Sequence, residues 1–175
     1  KIISEVLKLL GDYKGVKHEK DEKTEYNVSL PQCYQPLWKP STDPLYKNAI
    51  RYLKRRGIGG IDILRYSMGY CSSNGYANRI IIPSYDADGK LNYFIARDMF
   101  PNSKLKYKNP PMSKDTVCFE MFINWNEPIV LCEGVFDAIA IRNNAIPLLG
   151  KFPSKTLVKR LVEKQVKTIY VALDE

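Results

Sequence analysis

Three carboxylates stand where carboxylates can do chemistry. Glu133 follows directly on the apolar run Ile129-Val130-Leu131-Cys132, Asp137 lies four residues further on in a helical stretch, and Asp174 ends the apolar run from 168 to 173. If both runs are strands of one parallel sheet, Glu133 and Asp174 sit at their carboxyl ends and Asp137 in the first turn of the next helix. That is the edge on which open α/β sheets place their sites. Three acids there repel one another unless a divalent cation neutralises them, and hard carboxylate oxygens suit Mg²⁺ or Mn²⁺. The alternative is local: Glu133 and Asp137 complement a helix N-terminus, and Asp174 opens a loop. Spacing alone leaves both readings standing.

The elements that would position these acids follow from periodicity. Residues 129–132 read as a short buried strand, 135–143 as a helix, 145–149 as a strand, 154–165 as a helix capped by Ser154, and 168–173 as a strand. Strands alternating with helices at this spacing predict a parallel sheet with right-handed crossovers. Upstream, Asp43 before Pro44 predicts a helix start, with Leu45, Ala49, Ile50 and Leu53 on its apolar side and Gly57 at its end. Residues 61–66 predict a second short helix. Ile80-Ile81-Ile82 and Leu91 to Ile95 flank the turn-rich Asp86-Ala87-Asp88-Gly89 and predict a β-hairpin or meander. Residues 2–10 carry helical spacing, and 12–27 are too charged to bury much.

Composition bounds the function. The chain has 175 residues, with 27 Lys+Arg against 19 Asp+Glu and a net charge of +8, which suits a polyanionic partner. Its four cysteines form no CxxC pair and it has a single histidine, His18. A zinc ribbon, a disulfide framework and a histidine-based triad are therefore not expected. No apolar run approaches the roughly 20 residues needed to cross a bilayer, and no secretion signal is evident, so a soluble, cytoplasmic protein is expected. Neither a GxGxxG nor a phosphate-binding GxxxxGK[ST] loop occurs. Without an initiator Met, and ending just after a strand-like run, the chain reads as a fragment.

The stretches Leu131-Cys132-Glu133-Gly134-Val135-Phe136-Asp137-Ala138, Ile146-Pro147-Leu148-Leu149-Gly150-Lys151 and Ile169-Tyr170-Val171-Ala172-Leu173-Asp174 resemble the TOPRIM domain of DnaG-type primases, particularly phage ones. The resemblance makes Glu133, Asp137 and Asp174 catalytic, with Glu133 and Asp174 as metal ligands. The second acid of the family's Asp-x-Asp would be residue 176. Upstream, the R-x-x-x-P-x-x-D-x-x-G pattern from Arg79 to Gly89, the following Arg97, and Lys106-Tyr107-Lys108-Asn109-Pro110 resemble the primase RNA polymerase domain. It implies that Arg79, Arg97, Lys106 and Lys108 bind nucleic acid. The match covers residues 44 to 174. Expected are a helix and charged linker over 1–40, an α+β basic N-terminal subdomain over 41–125, and a partial α/β, Rossmann-like TOPRIM subdomain over 126–175.

The resemblance implies template-directed synthesis of short RNA primers on single-stranded DNA by metal-dependent nucleotidyl transfer. The partners would be a single-stranded DNA template, ribonucleoside triphosphates, the RNA:DNA hybrid, and a replicative helicase in the full protein or in trans. The setting would be a bacterial cell, with a phage-encoded origin as one version. Cut after residue 175, the chain alone is expected to be inactive. Two rivals remain: a TOPRIM nuclease using the same acids, and a single-stranded DNA-binding module without catalysis. The zinc ribbon and helicase motifs of such primases are missing from this sequence.

A polymerase holds phosphates without reading bases, and Lys and Arg do so by neutralising charge and releasing counterions. Tyr76, Tyr85, Tyr93 and Tyr107 offer rings for stacking bases or for ordinary packing. Arg51, Lys54, Arg55 and Arg56 either touch nucleic acid or offset a helix dipole. Affinity for single-stranded DNA, followed by fluorescence anisotropy, is expected to fall steeply with salt. Lys106→Ala should weaken binding of all sequences alike and lower the log–log salt slope by about 1; an unchanged slope places the contact elsewhere.

Overall fold

The computed structural model describes residues 27–173, so the segment over 2–10, the charged linker and Asp174 lie outside the described residues. These residues form two compact units. One comprises Val28–Tyr85 and Leu91–Met112; the other contains Asp86–Lys90 and residues 113–173.

The first unit is an antiparallel sheet with two helices. Its strands are β1 (Tyr34–Pro36), β2 (Gly69–Cys71), β3 (Arg79–Tyr85) and β4 (Leu91–Asp98), in the order β1-β2-β3-β4. The β3–β4 hairpin, expected from the two runs that flank the turn-rich Asp86–Gly89, pairs Ile81 with Ala96 and Pro83 with Phe94. The short strands β1 and β2 carry no such local signal and take their place by pairing.

Helix α1 (Pro44–Arg55) begins as expected: the Asp43 carboxylate accepts from the Leu45 N–H at 2.8 Å and proline occupies the first turn. It ends in a Schellman turn, with Gly57 N–H donating to Lys54 O and Ile58 N–H to Leu53 O, both at 3.0 Å. Gly57 has φ +73°, a conformation a Cβ would strain. Ala49 and Leu53 are buried. Helix α2 (Gly60–Arg65) follows, with the Asp62 carboxylate accepting from Gly59 N–H at 2.9 Å. Cys71, Ile81, Phe94 and Ala96 form a core cluster, against which Val28, Leu30, Cys33, Tyr34 and Tyr76 pack.

The second unit holds the expected β-α-β-α-β run: β5 (Ile129–Cys132), α3 (Val135–Ile141), β6 (Ala145–Pro147), α4 (Lys155–Glu163) and β7 (Ile169–Ala172). The sheet is parallel, in the order β6-β5-β7. β6 and β7 flank β5 on opposite sides, so right-handed crossovers put α3 and α4 on opposite faces. Ile129 and Leu131 pack with Ile146, Leu157 and Leu161, and the cluster also takes in Val117 from the irregular segment before β5. Ser154 caps α4 by accepting from Leu157 N–H at 3.1 Å.

One glycine makes a sharp packing prediction. At Gly69 in β2 a Cβ would run into the Tyr34 ring and stand 2.6 Å from the Gln35 carbonyl oxygen. Gly69→Ala must therefore displace β1. Overpacking of this kind costs about 1 to 3 kcal/mol, to be seen as a lowered urea midpoint with unchanged slope.

Candidate nucleic-acid interface and carboxylate edge

The basic residues separate into three environments. Arg79, only 6% exposed, donates from Nη2 to the Leu105 carbonyl at 2.8 Å and from Nη1 to the Ala96 and Lys106 carbonyls at 3.5 Å each. The Asp98 carboxylate stands 3.6 Å away. A buried guanidinium needs partners of this kind, so Arg79 ties residues 105–106 to β4. This differs from the phosphate contact expected of it: its geometry supports the neighbouring cations from beneath.

The tie completes a strand-like ladder. Asp98 N–H donates to Lys106 O and Lys108 N–H to Ala96 O, both at 2.9 Å, and Tyr107 bridges Arg97 in antiparallel fashion. Residues opposite each other in such a ladder share a face, and neighbours alternate. Tyr107 and Arg97 therefore lie on one face, with the Arg97 guanidinium 4.6 Å above the Tyr107 ring. Lys106 and Lys108 fall on the other, where Lys108 Nζ sits 5.3 Å over the Tyr76 ring and donates to Gly75 O at 2.7 Å. Lys106 is exposed. Among the tyrosines singled out above, Tyr93 is buried at 1% exposure and packs, whereas Tyr107 is 43% exposed.

Two contacts were not anticipated. Arg97 Nε donates to the Tyr52 hydroxyl at 3.1 Å across 45 residues, and the Arg56 guanidinium lies 5.0 Å over the Tyr52 ring. The i, i+4 spacing of Tyr52 in α1 and Arg56 at its C-cap allows the second; nothing nearby in sequence announces the first.

In the other unit, Cys132 lies opposite Pro147 of β6 and Ala172 of β7, so Glu133 leaves the central strand at the carboxyl edge. It is exposed and makes no hydrogen bond or ion pair among the described residues. Asp137, also exposed, accepts from Gly134 N–H at 3.0 Å and so serves the start of α3. The Cys132 Sγ donates to Gly134 O at 3.6 Å and Ile146 O at 3.7 Å, and burial, with Asp137 adding to it, pushes the thiol up to about 12. The donors offered are hard carboxylate oxygens, the type that suits Mg²⁺ or Mn²⁺. Among the described residues no cluster of three or more His, Cys, Asp or Glu that could hold a metal ion occurs.

No protein-family model matches the chain. The DnaG primase catalytic domain bound to single-stranded DNA aligns with a TM-score of 0.62 at 18% identity, covering 74% of this chain and 56% of that one. The Escherichia coli primase catalytic core aligns with a TM-score of 0.63 at 18% identity and the same coverages. The chain thus spans little more than half the length of these primase structures, and its fold is that of the DnaG catalytic core, antiparallel sheet and parallel sheet together. It belongs to the same family as the uncharacterized protein MG010 of Mycoplasma genitalium, with which it is 30% identical over 166 residues, 88% of this chain and 74% of that protein. None of these three bears on the phage-like part of the expectation. No helix among the described residues is long and apolar enough to cross a membrane.

The parallel-sheet unit also holds a buried acid that sequence reading missed. Glu120, 3% exposed, meets Arg160 Nε of α4 at 2.9 Å. Burial raises its pKa above the ordinary 4.5, the Arg160 charge opposing and Asp86 adding to the rise. The folded state then holds the Glu120 proton more tightly than the unfolded chain does. Its contribution to stability is fully present below about 4.5 and is lost as pH rises through the folded value. The stability difference between wild type and Glu120→Gln, from urea melts across pH 4 to 8, should accordingly fall as pH rises; a difference that grows with pH contradicts this.

Proposed function

We propose that the chain supplies the phosphate-holding face and part of the metal site of a DnaG-type primase. The reaction would be template-directed synthesis of short RNA primers from ribonucleoside triphosphates on single-stranded DNA in the bacterial cytoplasm. The observation that carries the reading is Glu133, an exposed carboxylate with no hydrogen bond or ion pair among the described residues, at the carboxyl end of the central strand of the parallel sheet in a chain with the DnaG catalytic-core fold.

Each residue takes a role that its surroundings allow. Lys106, Lys108 and Arg97 hold backbone phosphates of template or hybrid by charge, without reading bases. Arg79 keeps the 105–107 segment in place beneath them. Glu133 and Asp174 would hold a divalent cation of the Mg²⁺ or Mn²⁺ class, and Asp137 orients the start of α3 next to Glu133. The cation, when bound, supplies charge neutralisation at the reacting phosphate. The chain's own share is positioning: within its own unit, Glu133 is fixed at the end of β5, and within the other the cations are fixed on their ladder.

Glu133→Gln retains volume and removes one negative ligand. Ribonucleotide incorporation on a single-stranded template and Mn²⁺ binding followed by electron paramagnetic resonance are the two readouts. Measured in a chain extended past residue 175, incorporation is expected to fall at least about a hundredfold, equivalent to about 2.7 kcal/mol, and Mn²⁺ affinity to fall with it, at an unchanged melting temperature. If the acid serves only the helix N-terminus, the change is confined to about 0.3 to 1 kcal/mol of stability. Metal-dependent cleavage of DNA in place of incorporation points to the nuclease, and DNA binding with neither reaction to a binding module.

A further inference from the structure

Arg97 differs from the other cations in how it is held. Its Nε donates to the Tyr52 hydroxyl at 3.1 Å, and its guanidinium lies 4.6 Å over the Tyr107 ring. Among the described residues the two terminal nitrogens make no hydrogen bond or ion pair. The nearest acid in sequence, Asp98, is paired with Arg79 instead. One edge of the guanidinium is thus fastened, one face is stacked, and the opposite edge, carrying Nη1 and Nη2, is left for an acceptor.

That edge is the part of arginine that grips a phosphate with two parallel hydrogen bonds. A free arginine loses much rotamer entropy on binding, and a side chain already held loses less. Two tyrosines from distant parts of the chain, one on α1 and one on the 105–107 segment, together provide that hold. The Arg56 guanidinium over the Tyr52 ring, at 5.0 Å, adds a second positive charge on the same side.

We propose that Tyr52 is a positioning residue for nucleic-acid binding: with Tyr107 it orients the Arg97 guanidinium so that its terminal nitrogens engage one backbone phosphate of single-stranded DNA. This rests on the reading of the basic unit as a DNA-holding surface, and the experiment separates the two.

The test is fluorescence anisotropy of a labelled oligo-dT on the 175-residue chain, with salt titrations, for wild type, Tyr52→Phe, Arg97→Lys, Arg97→Ala and the Tyr52→Phe/Arg97→Lys double variant. Tyr52→Phe removes the acceptor but no charge. Affinity should fall about three- to tenfold, the range of one hydrogen bond, with the salt slope unchanged. Arg97→Ala should lower both affinity and slope by about one phosphate contact. Arg97→Lys keeps the charge but has neither fork nor Nε, so it should lose affinity at constant slope, and adding Tyr52→Phe to it should change nothing more.

Failure of the wild type to bind DNA overturns the underlying reading. Wild-type binding with Tyr52→Phe unaffected overturns the positioning role alone, as does a Tyr52→Phe loss of equal size in the Arg97→Lys background. Should Tyr52→Phe unfold, Arg97→Lys still decides: full wild-type affinity in that variant shows that the fork orientation does not matter.

Discussion

A charge taken out of water must meet a partner, and each unit of this protein is organised around one that does. In the antiparallel unit Arg79 is buried against three backbone carbonyls and Asp98. An unpaired guanidinium there would cost several kcal/mol, so the segment that supplies the carbonyls is held to β4. That requirement converts residues 105–108, which have no strand periodicity, into a ladder with alternating faces. Tyr107 and Arg97 share one face and Lys106 and Lys108 the other as a consequence. Glu120 and Arg160 play the matching part in the parallel-sheet unit, joining the irregular stretch before β5 to α4.

The carboxylate edge shows how one strand end can serve structure and chemistry together. Asp137 is drawn back to the Gly134 N–H and stabilises the start of α3, while Glu133, one step beyond the last paired residue of β5, keeps its carboxylate in solvent. Cys132 between sheet and edge is buried and stays a protonated thiol. The helix-terminus explanation holds for Asp137, and the metal reading of Glu133 belongs to the proposed function. Glu133 is the one with no structural work among the described residues.

The split of the cations follows from the same geometry. Residues that read as one basic set along the chain are distributed by pleating over two faces and an interior. Arg79 lies inside, Arg97 lies on the side of α1, where Tyr52 reaches it, and Lys108 lies beside Tyr76. Their chemical equivalence in composition conceals three roles: an internal tie, a held fork and a charge over an aromatic ring.

The sequence by itself determined what depends on neighbours within a few positions. The Asp43-Pro44 start and Gly57 end of α1, the β3–β4 hairpin, the β-α-β-α-β order and the placing of Glu133 and Asp137 at a strand end all rest on period, capping and turn chemistry. β1 and β2 were not legible, because three-residue strands have too few positions to show a period, and they form only by pairing with β3 and each other. Only the tertiary structure decided that Arg79 is interior and that Arg97 meets Tyr52. Those contacts join residues 26 and 45 positions apart, and no local pattern encodes a meeting that depends on sheet register and on which face a helix covers.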